Sequence, residues 1–300
     1  MIRKSARARV VRGLESVSTR LGYELQPIQK APDIRPNVGP PAVTPLAAVW
    51  PLPRKSQVTD DEIRAGFAEF DHWHYAYAFE GGVSFAAKHE VVRLITDAPE
   101  RPLQRFSHFM PDVLAANGGS LAGLRVLDIA CNSGFWSIQC ALLGAIVTGF
   151  DARPELIAQA NLVKRIVGVD NVDFKLLNFF DMTPEALGGT FDVVLNLGVL
   201  YHLPQALDTL ERTRAMTTKH ILLDTGVHTT SNAAVYVRWE NPYDIHAAAD
   251  PGIVALPSRS AVDFMLEHMG MSSWYEVPRR SEDLPLDYLR GSRTSWMITV

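Results

Sequence analysis

RVLDIACNSGFWSIQCALLGAIVTGFD, residues 125–151, decides the fold of this chain. An apolar run ends in Asp128, passes through a small-residue turn to Gly134 and opens a helix. A second apolar run ends in Asp151, 23 residues after Asp128. Two acids at the carboxyl ends of neighbouring parallel strands make a nucleoside site. The tight turn lets backbone approach the ligand, and the second carboxylate accepts both ribose hydroxyls.

A dinucleotide site needs G-x-G-x-x-G, because its backbone must admit a pyrophosphate at the helix N-terminus. From Ala130 the window reads ACNSGF, with Ala130 and Asn132 where the first two glycines would stand. Asp128 before the turn suits a ligand with a cationic end instead. S-adenosylmethionine has that chemistry: an ammonium, a sulfonium and a ribose, with no phosphate.

Outward from this unit the strand–helix alternation continues. Strands are expected at 124–129, 145–150, 172–177, 191–196 and 219–224, with helices near 134–143, 154–167 and 205–216. Apolar strands separated by helices predict a parallel sheet covered on both faces. PSRSAVDFMLEHMG, residues 257–270, reads as a helix capped by Ser258 and ended by Gly270. Strands near 273–278 and 293–300 complete an antiparallel edge. The fold class is therefore α/β, a Rossmann-like seven-stranded sheet, mostly parallel with an antiparallel edge strand, carrying an N-terminal helical and irregular extension.

Upstream, Arg3, Lys4, Arg7, Arg9, Arg12 and Arg20 accompany apolar residues at helical spacing. This predicts a basic amphipathic helix over 1–25, suited to an anionic surface. Residues 27–53 hold eight prolines and read as a linker or wrapping arm. A helix is expected from Thr59, with Thr59 or Asp60 as cap. FDHWHYAYAFEGGVSF, residues 70–85, crowds aromatics and histidines before two glycines and suggests a substrate-side lid. The domains expected are 1–58 (basic helix and linker), 59–118 (lid and substrate region) and 119–300, with a substrate insertion at about 226–256.

The composition fits a globular protein: 47% apolar, 21% charged, net charge −4. No global basic field advertises nucleic acid. No apolar run is long enough for a membrane span, and no apolar leader opens the chain. Cys131 and Cys140 lack zinc-site spacing, and no motif establishes a metal site. A reduced cytoplasmic setting is expected, with peripheral membrane contact through 1–25.

Downstream motifs add chemistry. VDFKLLN ends at Asn178, whose amide suits the edge of adenine, and Phe179 follows to pack on its face. FDVVLNLGVLYHL, residues 191–203, places Gly198 where a side chain would meet a ligand over the sheet. Tyr201 and His202 follow, and both can exchange protons. His202 is the first candidate base, with His74 and His228 as alternates. Asp224, at a strand end, could hold a base or a metal.

VLDIACNSGFWS, GFDARPE and FDVVLNLGVLYHL together resemble the class I S-adenosylmethionine-dependent methyltransferases. The C-N-x-G turn, the GGVS segment upstream and the late ALPSRSAVDFML helix are similar to the branch that includes the tRNA wobble-uridine (carboxy)methyltransferases. Residues 1–60 lie outside the resemblance. It implies that Asp128 and the turn Ala130, Asn132, Gly134, with Phe135 behind it, hold the methionine part of S-adenosylmethionine. Asp151 with Ala152 binds the ribose, Asn178 and Phe179 contact adenine, Leu197 and Gly198 line the sulfonium side, and Tyr201 faces the transferred group. Ala130 and Asn132 depart from the usual glycines, yet Asn tolerates a left-handed backbone. Arg279, Arg280, Arg290 and Arg293 could form an RNA patch or serve a carboxylated cofactor. Three functions follow: methylation of an oxygen or nitrogen on a small-molecule, glycan or glycolipid acceptor; tRNA modification; or a non-catalytic cofactor-binding interaction module. Retention of Asp128, Gly134 and Asp151 speaks against the last.

Overall fold

The computed structural model describes residues 36, 38–87, 100–240 and 252–300. The basic helix expected at 1–25 lies outside them, as do the start of the proline-rich stretch and the middle of the insertion. The chain divides into units at 1–33 and 34–300, and the second is the one described.

Helix α1 (Asp60–Ala68) starts as expected at Thr59. The Thr59 hydroxyl accepts from the Glu62 amide at 3.2 Å, and the Glu62 carboxylate accepts from the Thr59 amide at 2.8 Å. That reciprocal box satisfies two of the amides a helix start leaves unpaired. A hairpin follows, β1 (Tyr77–Phe79) and β2 (Val83–Phe85), turning at Gly81 and Gly82, both at positive φ. Phe67 of α1 stacks on Trp73 at 4.1 Å and on Phe85 at 3.9 Å. The aromatic segment is thus largely core. Helix α2 (Arg101–Ala116) leads into the sheet.

The sheet strands are β3 (Arg125–Ile129), β4 (Ile146–Asp151), β5 (Val172–Leu176), β6 (Phe191–Leu197), β7 (Thr217–Gly226), β10 (Ser273–Glu276) and β11 (Arg293–Thr299), in the order β10-β11-β7-β6-β3-β4-β5. Only β11 runs against the rest, inserted between β7 and β10. Helices α3 (Phe135–Leu142), α4 (Pro154–Val167) and the short α5 (Pro184–Leu187) connect the first strands, and α6 (Ala206–Ala215) leads into β7. A second hairpin, β8 (Val235–Trp239) and β9 (Ile253–Pro257), fills the expected insertion. Helix α7 (Arg259–His268) is capped by Ser258 as expected, and α8 (Leu286–Leu289) precedes β11.

Alternation along the strands builds a core on each face. Val126 packs with Ile138 and Val163 of α3 and α4, whereas Leu127 and Ile129 pack with Leu210 of α6 and Val262 of α7. The chain leaves β3 towards β4 and β5 on one side, and later towards β6 and β7 on the other. A crevice therefore opens at the carboxyl ends of β3 and β6, where open α/β sheets bind ligands.

Candidate active site

A cavity of about 400 Å³ occupies that crevice. Its wall includes Ala130, Asn132, Asp151, Ala152, Asn178, Phe179, Leu197, Gly198, Tyr201 and His202 from the sheet ends, and His74 from the aromatic segment. Eleven residues proposed from sequence thus converge on one space, drawn from five chain segments.

The turn after β3 shows why. Ala130 and Asn132 have φ of 51° and 53°, and Gly134 has 83°. The left-handed region is open to Gly and tolerable for Asn, and it costs Ala on the order of 1–2 kcal/mol. The turn is held from outside: the Asn132 amide donates to Asp151 Oδ2 at 3.1 Å, and the buried Tyr77 hydroxyl donates to the Ser133 carbonyl at 2.7 Å. A Cβ on Gly134 would sit 2.7 Å from Phe174, and one on Gly149 would sit 2.7 Å from Ser137 Oγ. Gly134 lets the turn press against Phe174 of β5 and Ala160 of α4, and Gly149 lets α3 press against β4. The role of Gly149 was not foreseen, because a glycine within a strand pattern carries no signal of what approaches it.

Three expected cofactor residues stand behind the wall. Asp128 is buried and accepts from Ser137 Oγ at 2.6 Å. Burial pushes its carboxyl up to about 7, against which the Ser137 hydrogen bond pulls down. Gly134 caps α3, and Phe135 is core, packed against Trp136 and Tyr75. Asp128 and Gly134 therefore shape the turn.

Asp151 presents its carboxylate to the cavity, yet Arg153 covers it. The Arg153 amide and Nε both donate to Oδ1 at 3.1 Å, and Nη2 lies 3.4 Å from Oδ2. A diol taking those oxygens must displace the Arg153 side chain, which is one-third exposed. Asn178 lines the cavity, but its Oδ1 accepts from the Phe180 amide at 3.0 Å, capping the turn at Phe179–Asp181. Its Nδ2 and the second lone pair of Oδ1 are left to meet a base edge.

His202 and Glu240 form a pair that no sequence pattern announced. His202 Nδ1 is hydrogen-bonded to Glu240 Oε1, with the side chains 14% and 6% exposed. An ionised carboxylate only accepts, so Nδ1 is the donor of this hydrogen bond, and in the neutral imidazole that leaves the lone pair on Nε2. The rings of Tyr201 and His202 are 4.0 Å apart, and the Tyr201 hydroxyl accepts from Arg293 Nη2 at 3.3 Å. His228 is elsewhere: it accepts from the Thr230 amide, stacks on Tyr236 and is absent from the cavity wall.

Asp224 corrects an expectation. It is fully buried and receives Arg105 Nη2 at 2.7 Å, Arg293 Nη1 at 2.6 Å, Ser295 Oγ at 2.7 Å and the Tyr288 hydroxyl. Burial alone would raise its carboxyl, but the two guanidiniums outweigh that and hold it well below the ordinary range. It is not available as an orienter of a base or as a metal ligand, and no cluster of metal-binding side chains occurs among the described residues. The arginines expected to form a patch are also dispersed: Arg280 pairs with Asp112, Arg279 with Glu282, and Arg293 is internal. Arg101 and Arg105 of α2 line the cavity and were missed. Their spacing of one helical turn on a face shared with Phe106 and Phe109 was the available signal.

The sheet order and the crevice are those of the class I methyltransferase fold. Residues 120–248 match the family model described as a methyltransferase domain. The chain is 37% identical over 111 residues to the ubiquinone biosynthesis O-methyltransferase of Xanthomonas campestris pv. campestris (strain B100), covering 37% of this chain and 45% of that protein. It is 36% identical over 111 residues to the protein of the same name from Xanthomonas oryzae pv. oryzae (strain PXO99A), covering 36% and 44%. The chain thus spans less than half the length of the curated relatives it matches. Among solved structures, the N-terminal domain of EvdMO1 in the presence of SAH and D-fucose is similar with a TM-score of 0.59 and 21% identity, over 82% of this chain and 98% of that one. The same domain with SAH bound gives a TM-score of 0.57. No described helix is long and apolar enough to cross a membrane.

Proposed function

We propose that this chain transfers a methyl group from S-adenosylmethionine to a hydroxyl oxygen of a small-molecule or sugar-bearing acceptor. The observation that carries the reading is the His202–Glu240 pair beside Tyr201, on the wall of the cavity that Asp151 and Asn132 also line. The similarity of the cofactor half to O-methyltransferases and the sugar present with the EvdMO1 domain agree with it.

The bound cofactor supplies an electrophilic methyl on a sulfonium and leaves as a neutral thioether, so no acid is needed. The protein's task is alignment: Asp151 would hold the ribose hydroxyls, the turn from Ala130 to Asn132 the methionine end, and Asn178 with Phe179 the adenine. Holding the acceptor oxygen about 3–3.5 Å from the methyl carbon accounts for much of the acceleration. His202 Nε2 would accept the hydroxyl proton of the acceptor whose oxygen takes the methyl group the cofactor would supply. Such a base contributes roughly 10²–10⁴ in rate. Glu240 holds the ring in the tautomer this requires and stabilises the imidazolium.

Calorimetry with S-adenosylmethionine tests the enzyme reading, and absence of binding overturns it. His202→Ala should keep cofactor binding and lose turnover; retained turnover removes His202 from the role of base. Methyl labelling of total tRNA and of a glycan or lipid extract, compared side by side, decides the acceptor. Label in tRNA alone would replace this proposal with wobble-uridine modification, and mass spectrometry of the co-purified cofactor would reveal a carboxylated form.

A further inference from the structure

The second hairpin leaves a strand edge bare. Strands β8 and β9 form a sheet of their own, so β8 has one neighbour among the described residues. All five of its residues are exposed, with Val235 at 43%, Tyr236 and Val237 at 54% and Trp239 at 78%. The inner strand is anchored, since Val254 and Ala255 of β9 are buried. An exposed edge of β-branched and aromatic residues is a template for another strand, and proteins usually blunt it with proline, a bulge or several charges. Strand β8 has no proline, pairs in unbroken register and carries one charge, Arg238.

Hydrogen-bond parity shows what this edge offers. The Ser258 amide donates to the Ala234 carbonyl at 2.8 Å, and the Glu240 amide donates to the Gly252 carbonyl at 2.7 Å. In an antiparallel pair, alternate residues of a strand turn their backbone groups to the partner and the others turn them away. Ala234, Tyr236, Arg238 and Glu240 therefore face β9, and Val235, Val237 and Trp239 present N–H and C=O groups to the free side.

We propose that a second copy of this chain pairs with that edge, β8 antiparallel to β8 about a two-fold axis at Val237. A two-fold interface must be self-complementary, and VYVRW, residues 235–239, meets that demand. Val237 exchanges hydrogen bonds with the partner's Val237, and Val235 does so with the partner's Trp239, so every outward group is used. One face then carries a continuous apolar row of Val235, Val237 and Trp239 from both copies. On the other, Tyr236 lies opposite the partner's Arg238, a cation–π pair that occurs twice. His228 stacks on the Tyr236 ring at 4.8 Å, yet the side chain stays half exposed and can receive a guanidinium. An axis at Arg238 would set like charges opposite each other, and one at Tyr236 would carry Trp239 past the end of the strand. A five-residue edge lies at the small end of stable interfaces, so the dimer should dissociate at roughly 10 µM. The proposal is independent of the methyl-transfer reading.

Sedimentation velocity of the full chain over about 1–100 µM tests it. Wild type should move from monomer towards dimer mass across that range, and Val237→Pro should stay monomeric. Its proline removes one outward amide and spares the bonds to β9. A wild type that stays monomeric throughout, or a Val237→Pro that dimerises within twofold of it, overturns the proposal. Cross-linking reads the register. Hydrogen-bonded antiparallel partners lie about 5.5 Å apart at Cα, within disulfide reach, and the native Cys131 and Cys140 are buried. Val237→Cys should therefore form a disulfide-linked dimer on oxidation. Val235→Cys should not, because its two copies stand about four residues apart along the paired strands, roughly 14 Å. Cross-linking of Val235→Cys in preference to Val237→Cys overturns the register, and this pair decides alone if Val237→Pro does not fold. Phosphatidylglycerol vesicles test lipid as the occupant: a monomeric wild type that binds them, and loses binding in Trp239→Ser, would give the edge to a membrane and overturn the dimer.

Discussion

Replacing Asp151 by Asn should weaken S-adenosylhomocysteine binding about 10- to 100-fold, by the following arithmetic. The ionised carboxylate offers two acceptor oxygens to a ribose diol. Asn keeps one acceptor, loses the charge and turns its other atom into a donor. The loss is one charge-assisted hydrogen bond, worth about 1.5–3 kcal/mol, and each 1.4 kcal/mol is tenfold in affinity. Arg153 supplies the opposite control. Its side chain sits on both oxygens of Asp151 and must leave for the diol to bind. A partly exposed ion pair of this kind is worth roughly 0–1 kcal/mol. Arg153→Ala should therefore leave affinity unchanged or tighten it by up to about fivefold. Isothermal titration of the purified protein with S-adenosylhomocysteine measures both. Asp151→Asn within twofold of wild type, or Arg153→Ala weaker by tenfold, would show that the ribose is not held at Asp151.

Glu240→Leu should release His202 from the Nδ1-protonated tautomer; ¹⁵N NMR of the imidazole reports it directly, and an unchanged tautomer would sever Glu240 from the proposed base. Ala130→Gly relieves a left-handed alanine (φ 51°) at about 1–2 kcal/mol, set against about 0.5–1 kcal/mol of extra backbone entropy. The variant should melt about 1–3 °C higher, and a fall in melting temperature would show that the Ala130 methyl contributes packing that outweighs its strain. Asp128 titrates near 7 in the fold because burial disfavours its charge, against about 3.9 unfolded. A raised folded value means stability is fully present below the unfolded value and is lost as pH rises to about 7. Asp128→Asn removes that loss, so its melting temperature relative to wild type should climb between pH 4.5 and 8; a flat difference would refute the assignment.

The sheet was legible because each strand of 125–226 is short, apolar and punctuated by a turn or helix, and period alone separates the two. The residues that line the crevice were legible for the same reason, since most of them stand at the carboxyl end of a strand. What sequence could not show is pairing across distance. Arg105 and Asp224 are 119 residues apart and His202 and Glu240 are 38 apart, and neither pair has a period or a motif. Asp224 looked available because a strand-end acid resembles a ligand until its partners are known. Arg293 resembled one of several loose charges until β11 slotted beside β7 and turned its side chain inward. Asp128 stands where the motif expects the acid before the turn, and what the motif does not show is that Ser137, one helical turn into α3, donates to its Oδ2.

The two halves of the cavity come from different parts of the chain. Asn132, Asp151, Asn178, Leu197 and Tyr201 all fall within residues 120–248, the stretch that matches the methyltransferase domain family. His74, Arg101, Arg105, Ile253 and Arg293 fall outside it and line the remaining wall. Similarity within that stretch therefore bears on how a methyl group is held and moved. It leaves out the aromatic segment, α2 and β11, which supply the rest of the cavity wall. Two proteins sharing that stretch can differ wholly in the other wall, so the substrates of relatives that match only part of this chain do not fix its acceptor.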